Sequence, residues 1–322
     1  MRKIGCLGML IALAVIAALF LVIQSWGGAG PAKRTTTVLI RDGETLSGAA
    51  ADLQRAGAIG SARRFVLLAR LLGSKAPIKA GEYRLPPHLS QSDILKMMQG
   101  GQTLQRLVTI PEGLPSVMVH DRLMAAKGLT GNVAVPAEGS VLPDTYSYQR
   151  EDTRASVLNR MQEAMKRYLA AAWAKRAPGL GISTPEQAVT LASIVEKETA
   201  KPEERAIVAG VFYNRIKLGM PLQADATIIY PITRGRALGR RIRESELHAR
   251  NAYNTYQMIG LPAGPICNPG RASIDAVLHP ATTKALYYVA DGSGGHIFAE
   301  TYEEQQANVA KWFAIRRARG EM

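Results

Sequence analysis

Residues that staple, ligate or stack are scarce in this sequence. Two cysteines occur among 322 residues, Cys6 in an apolar N-terminal run and Cys267 in a Gly/Pro-rich loop. A disulfide joining them would have to cross a membrane if the apolar run spans one, so no disulfide framework is expected. Only five residues precede Cys6, and none forms the apolar region a lipoprotein signal needs. The five histidines, His88, His120, His248, His279 and His296, show no HExxH or other metal-ligand spacing, so neither a metal nor another cofactor is expected. Aromatic residues make up 6%, too few for an evident base-stacking platform, which argues against nucleic acid as a partner. Internal repeats and low-complexity tracts are absent. Acidic residues are also short, 26 against 40 basic ones. The resulting charge of +14 favours an anionic partner such as lipid headgroups or an acidic glycan.

What is present describes a folded chain of more than one domain: 47% apolar and 20% charged residues. Ile4 to Ile23 reads IGCLGMLIALAVIAALFLVI, without a charge. That is the ~20 residues a helix needs to cross a bilayer's hydrocarbon core. Arg2 and Lys3 precede the run, Lys33 and Arg34 follow it, and Trp26 suits the far interface. A retained single-pass anchor and a cleaved signal peptide ending near Gly27 to Ala32 both fit, and the length of the run favours the anchor with its N-terminus in the cytoplasm. In both cases the rest of the chain lies outside the cytoplasm.

Beyond a Gly/Pro/Lys linker, residues 37–101 alternate strand and helix signals. Val38 and Ile40 open a strand, Asp42-Gly43 turns, and Leu46, Ala49, Leu53 and Ala56 follow helical spacing. A helix at Ala62 to Leu72, a strand at Gly81 to Leu85 and a helix at Gln91 to Met98 follow. A further strand starts in LQRLVTIPEG. Helices are then expected at Ser156 to Ala174, Thr184 to Thr199, Glu203 to Leu218, Ser273 to His279 and Glu303 to Ala318, with a strand at Leu286 to Ala290. The predicted class is α+β.

Thr184-Pro185-Glu186-Gln187 is a strong helix start, with a capping threonine, proline in the first turn and glutamine at the capping-box position. AVTLASIVEKETA continues it. Ala188, Leu191, Ala192 and Val195 form an apolar stripe, and Glu196 and Glu198 lie on its opposite edges, about 200° apart at 100° per residue. They cannot face each other as a two-carboxylate glycosidase pair would. A carboxyl at such an edge can be partly desolvated and so stay protonated near neutral pH. A solvated helix face explains the same pattern, and spacing alone does not choose between the two glutamates.

Six segments in order closely resemble the YceG-like family, the endolytic murein transglycosylases: AEGSVLPDTY (137–146), ASIVEKET (192–199), LQADATIIY (222–230), AYNTY (252–256), GLPAGPICNPG (260–270) and LYYVADGSGGH (286–296). The resemblance covers about residues 103 to 300, and more loosely the N-terminal part, where the strand leading through DGETL into a helix resembles a LysM-like module. One departure is EGSVLPDTY where EGYLFPDTY is commoner in the family, with Ser140 replacing an aromatic residue and Val141-Leu142 replacing Leu-Phe, which bears on details of the sugar subsite and not on the reaction.

The organisation read from the residues and the resemblance together is a cytoplasmic tail (1–3), a transmembrane helix (4–24), a linker (25–36), a LysM-like module (37–101) and a larger mixed α/β catalytic domain (102–322); the resemblance adds the activity. It implies cleavage of the MurNAc–GlcNAc bond of nascent glycan strands at the cell inner membrane, with closure of a 1,6-anhydro ring that ends strand elongation, and peptidoglycan synthases as possible companions. One carboxyl serves twice in that reaction, as general acid and then as general base. The family motif points to Glu196, with Glu198 as runner-up and apolar surroundings with QADAT and AYNTY expected near Glu196. Gln223, Asp225, Thr227, Tyr253, Asn254 and Tyr256 are the candidates for holding sugar, although helix capping, turn formation or core packing would also explain several of them. Glu138 and Asp144 are expected to orient their neighbours, and Asn268-Pro269-Gly270 to shape a turn. A membrane-anchored, non-catalytic glycan-binding scaffold and a water-using muramidase are the competing functions.

Overall fold

The computed structural model describes residues 2–321, apart from the side chains of residues 2–8, 10, 11 and 19. The chain is mixed α and β and forms two compact units. The first takes the chain through Arg106 together with Ser147–Glu151, and the second takes Leu107–Tyr146 and everything from Asp152 on.

An N-terminal helix, α1, runs over Arg2–Gly27. Part of the expected membrane span, residues 4–8, 10, 11 and 19, lies outside the described side chains. Among the described residues no helix is long and apolar enough to cross a membrane. After it, β1 (Thr36–Ile40), α2 (Leu46–Arg55), α3 (Ala62–Leu72), β2 (Gly81–Leu85) and α4 (Gln91–Gly100) follow in order. Strands β1 and β2 pair antiparallel, Thr36 opposite Leu85 and Ile40 opposite Gly81. Thr45, Ser61 and Ser90 each cap the helix that follows, accepting from a backbone N–H in its first turn. Val38, Ile40, Leu53, Phe65, Tyr83, Ile94 and Met98 form the core. The Tyr83 hydroxyl, buried among them, donates to the carbonyls of Lys79 and Met98. Gly81, at φ +140°, leaves no room for a Cβ, which would lie 2.3 Å from Thr103 Cγ2.

The second unit begins in β3 (Arg106–Ile110) and continues through α5 (Ser116–Ala125), β4 (Asp144–Tyr148), α6 (Arg154–Ala174), α7 (Pro185–Glu198), α8 (Arg205–Lys217), α9 (Asp225–Thr233), the short α10 (Glu244–Leu247), α11 (Arg271–Leu278), β5 (Tyr287–Ala290), β6 (His296–Ala299) and α12 (Tyr302–Ala318). Strand β3 pairs with β4, and β5 pairs antiparallel with β6. The helix expected from Glu203 is broken, because Pro202–Glu204 forms a separate 3-10 turn ahead of α8.

Helix α7 is the hub. Its capping box forms as the sequence predicts, Thr184 Oγ1 accepting from Gln187 N while Gln187 Oε1 accepts from Thr184 N. The single apolar stripe does not survive: every residue from Ala188 to Val195 is buried, Thr190 and Ser193 included. Neighbours on all sides explain this, since α6, α8, α9 and α11 all pack on α7. The two hydroxyls are satisfied internally, Thr190 donating to Glu186 O and Ser193 to Thr190 O.

Phe65 is fully buried in the first unit. Phe65→Ala is expected to cost about 3–5 kcal/mol, read as a lower urea midpoint together with faster amide exchange in α2 and α3.

Candidate active site

Glu196 and Glu198 leave the last turn of α7 toward different surroundings, as their angular separation requires. Glu198 meets the β5–β6 hairpin. The Tyr288 hydroxyl donates to Glu198 Oε2 at 3.0 Å, and the Tyr288 ring packs edge-on against Phe212 and His296. Burial pushes the Glu198 carboxyl up from 4.5 to about 7, while the bond from Tyr288 and the nearby Arg215 charge pull the other way. Asp225, the first residue of α9, adds to the upward shift. Burial and the same Glu198 contact push the Tyr288 phenol well above its ordinary value, so it stays a donor.

Arg215 lies beneath this pair, 6% exposed. Its Nε donates to Leu286 O and its Nη1 to Leu222 O, which fixes a cation below the tyrosines. His296 is held by Glu204, which accepts from its backbone N–H at 2.9 Å and lies 2.7 Å from its Nδ1. Thr199 Oγ1 donates to the same carboxylate. Burial opposes ionisation of Glu204, but these bonds outweigh it and hold the carboxyl below its usual value.

Glu196 is placed differently from the expectation. Its side chain is 6% exposed, and its carboxyl meets a backbone N–H and a guanidinium. Oε2 accepts from Gly270 N at 2.9 Å, and Oε1 lies 3.8 Å from Arg205 Nη2. The same Arg205 nitrogen reaches Glu112 at 3.7 Å. Gly113, at φ +70°, lets the backbone come close: a Cβ there would lie 3.3 Å from Glu196 Cγ. Among the described residues, none of QADAT or AYNTY hydrogen-bonds or ion-pairs with this carboxyl; their Asp225 and Tyr256 act on Glu198.

The six candidate sugar contacts divide. Gln223, in the left-handed region at φ +56°, and Asp225 are exposed. Tyr256 is half-buried and donates to Asp225 Oδ1 at 2.7 Å. Tyr253 is half-buried, its ring centroid 4.9 Å from that of Tyr230 and tilted 47° to it. Thr227 and Asn254 turn inward and are fully buried. Thr227 donates to Ala224 O and shares a 2.9 Å contact with Thr255, while Asn254 Nδ2 donates to the carbonyls of Leu247 and Ala249. Both side chains spend their polar atoms on loop structure and have none left for a ligand.

Glu138 and Asp144 are both engaged with neighbours. Glu138 Oε1 accepts from Ser116 N and from Asn268 Nδ2, and its Oε2 accepts from the Tyr230 hydroxyl. Burial raises its carboxyl above the ordinary value. Asp144 forms a 2.8 Å ion pair with Arg271. Asn268 is more than a turn residue: fully buried, it accepts from Val141 N and donates to Leu114 O and Ser116 Oγ. Arg205, Arg215, Glu204, Tyr288 and His296 were not singled out by sequence reasoning, although Tyr288 and His296 stand inside the LYYVADGSGGH segment. Among the described residues no group of three or more His, Cys, Asp or Glu side chains is arranged to hold a metal ion.

The sequence profile of the YceG-like family matches residues 38–311. The chain belongs to the YceG-like family. A Streptococcus pneumoniae member named endolytic murein transglycosylase is 29% identical over 329 residues, which take in 87% of this chain and 58% of the pneumococcal one. The chain thus spans less than two thirds of that relative's length. A Bacillus subtilis family member of the same name is 26% identical over 317 residues, 88% of this chain and 86% of its own. The crystal structure of a YceG-like protein from Listeria monocytogenes superposes with a TM-score of 0.54 at 27% identity, covering 85% of this chain and 99% of that one.

A carboxyl raised from 4.5 to about 7 in the fold contributes stability that is fully present below its unfolded value and is lost as pH rises through 7. Glu198→Gln keeps an acceptor for Tyr288 and removes the buried charge. The variant is therefore expected to match wild type near pH 4 and to become more stable than it above pH 7, by as much as about 3 kcal/mol. Urea midpoints across pH measure the difference, and parallel profiles would contradict the assigned shift.

Proposed function

We propose that the chain is a lytic transglycosylase that cuts the MurNAc–GlcNAc bond of peptidoglycan within nascent strands and leaves 1,6-anhydroMurNAc ends, so terminating their elongation. The single observation that carries the reading is a desolvated carboxyl, Glu198, raised to about 7 and hydrogen-bonded by Tyr288. The names of the pneumococcal and B. subtilis relatives support the same chemistry.

Glu198 enters the cycle protonated. Tyr288 occupies Oε2, and the other oxygen delivers the proton to the glycosidic oxygen as the bond to C1 breaks. The resulting carboxylate takes the proton of the MurNAc 6-hydroxyl while that oxygen attacks C1, which returns Glu198 to its starting state. One carboxyl thus completes the cycle, and no water is added. Positive charge developing at C1 is stabilised by Asp225, which Tyr256 holds in place. Gln223, exposed beside Asp225, and Tyr253 extend the surface for sugar. Glu196, accepting from Gly270 N and close to Arg205, orders the loop next to the site rather than supplying the proton.

Residues 4–24 tether the chain to the cell inner membrane as a single-pass helix with a cytoplasmic N-terminus, which keeps the enzyme near newly made strands and the synthases that make them. The strand–helix–helix–strand unit over residues 37–101 is the LysM-like module. The supports are the length and lack of charge of the N-terminal run, the helix over Arg2–Gly27 and the order of elements in the first unit.

Digestion of peptidoglycan by the purified chain is expected to release anhydro-ended fragments, identified by mass spectrometry as lacking the added water of hydrolysis. Glu198→Gln should lower release ~10²–10⁴-fold, and wild-type kcat/KM should fall as pH rises above about 7. Glu196→Gln should retain most of the reaction. Loss of activity in Glu196→Gln with full activity in Glu198→Gln would move the acid to Glu196, and water-added products would make the enzyme a muramidase.

A further inference from the structure

Helix α3 of the first unit presents an outer face that its own fold does not use. Phe65, Leu68 and Ala69 turn inward and are buried. Leu67 and Leu71 stand out at 57% and 70% exposure, and Leu72 at the end of the helix at 51%. At 100° per residue, Leu67 and Leu71 lie about 200° and 240° around the helix from Phe65. Arg70 and Arg63 fall at about 140° and 160°, on one side of the leucines, and Arg64 at about 260°, on the other. The exposed arc is therefore a leucine pair bordered on both sides by arginines, all of them solvent-facing. Lys75, also exposed, follows in the next loop.

Its charge is not neutralised by the sequence around it. Between Asp52 and Glu82 there is no acidic residue, while Arg55, Arg63, Arg64, Arg70, Lys75 and Lys79 are all basic. Apolar side chains flanked by long cationic ones fit the boundary of a bilayer: leucines enter the acyl region while arginines lay their stems along it and raise their guanidinium groups to the phosphates. An acidic protein surface would match the charge, but it would gain little from leucines that stand proud between the arginines.

The same unit holds the end of α1. The Trp26 ring lies 6.0 Å from that of Phe65 on α3. Gln91 Nε2, at the start of α4, donates to Ser25 O at 2.7 Å. Gly30 N donates to His88 O, and His88 N donates to Ala32 O. The chain emerging from α1 is thus fastened to the first unit, and the outer face of α3 lies about one helix diameter, ~10 Å, beyond Phe65.

We propose that α3 is an interfacial helix: Leu67 and Leu71 insert into an anionic phospholipid surface, and Arg63, Arg64, Arg70 and Lys75 bind its phosphates. The proposal rests on the membrane-tether reading for its geometry, and the two can fail separately.

The test uses the full chain incorporated into vesicles, with Cys6 and Cys267 replaced by serine and an environment-sensitive fluorophore on Leu71→Cys. The same label on Ala51→Cys, an exposed position of α2, serves as reference. In phosphatidylglycerol-containing vesicles the label at 71 should shift to the blue and be quenched by spin-labelled lipid several-fold more than the label at 51. The shift should be lost in pure phosphatidylcholine, and also in the Arg63→Glu, Arg64→Glu, Arg70→Glu triple variant, while flotation in high salt stays unchanged. If the chain floats but labels 71 and 51 report equal exposure to water, the proposal is overturned and the tether stands. If high salt strips the chain from vesicles on which label 71 had shifted, the tether reading fails and the α3 surface is supported.

Discussion

The burial of α7 on every side governs the second unit. A helix hemmed in by α6, α8, α9 and α11 can show polar groups only where it ends, and it ends on Glu198. Beside the buried run from Ala188 to Val195, the Glu198 carboxyl is costly to ionise. Glu196 accepts from the Gly270 N–H and lies 3.8 Å from Arg205. Glu198 is compensated only in part, by a phenol that donates one hydrogen bond and by the nearby charge of Arg215. Two glutamates separated by one lysine thus acquire different chemistry from the angle at which each leaves the helix.

The surrounding elements serve that difference. Strands β5 and β6 bring Tyr288 and His296 to the end of α7, and the short turn before α8 supplies Glu204 to hold the imidazole. Helix α8 contributes Arg215, whose hydrogen bonds go to carbonyls rather than to a carboxylate, so its charge remains uncancelled beneath the tyrosines. On the far side of α7, Asn268 and Glu138 join the segments around Leu114, Ser116 and Val141 through side-chain hydrogen bonds. Buried amides and carboxyls used in this way keep a loop-rich region in one arrangement, at the cost of needing every partner present.

Local signals in the sequence were legible where they were strong. Ala62 to Leu72 and Gly81 to Leu85 are found at the bounds read from spacing alone, and the Thr184 capping box forms as its residues require. Helix α9 lies outside the helices expected from spacing, and it carries Pro231 in its interior, where proline ordinarily argues against a helix. The surroundings of the two glutamates were not legible at all. Tyr288 lies 90 residues beyond Glu198, and Gly270 lies 74 beyond Glu196, so nothing local to ASIVEKET tells which carboxyl meets a phenol and which an arginine. For the same reason Thr227 and Asn254 read as plausible sugar contacts although both are consumed by the loop that carries Thr255.

The central claim is that one carboxyl at the end of α7 holds its proton near neutrality. Carbon-13 NMR of the protein labelled at glutamate side-chain carboxyls, with the Glu198 resonance assigned by its absence in Glu198→Gln, measures this directly. The account predicts a Glu198 carboxyl that titrates near pH 7. A Glu198 resonance that titrates in the ordinary carboxylate range would contradict it.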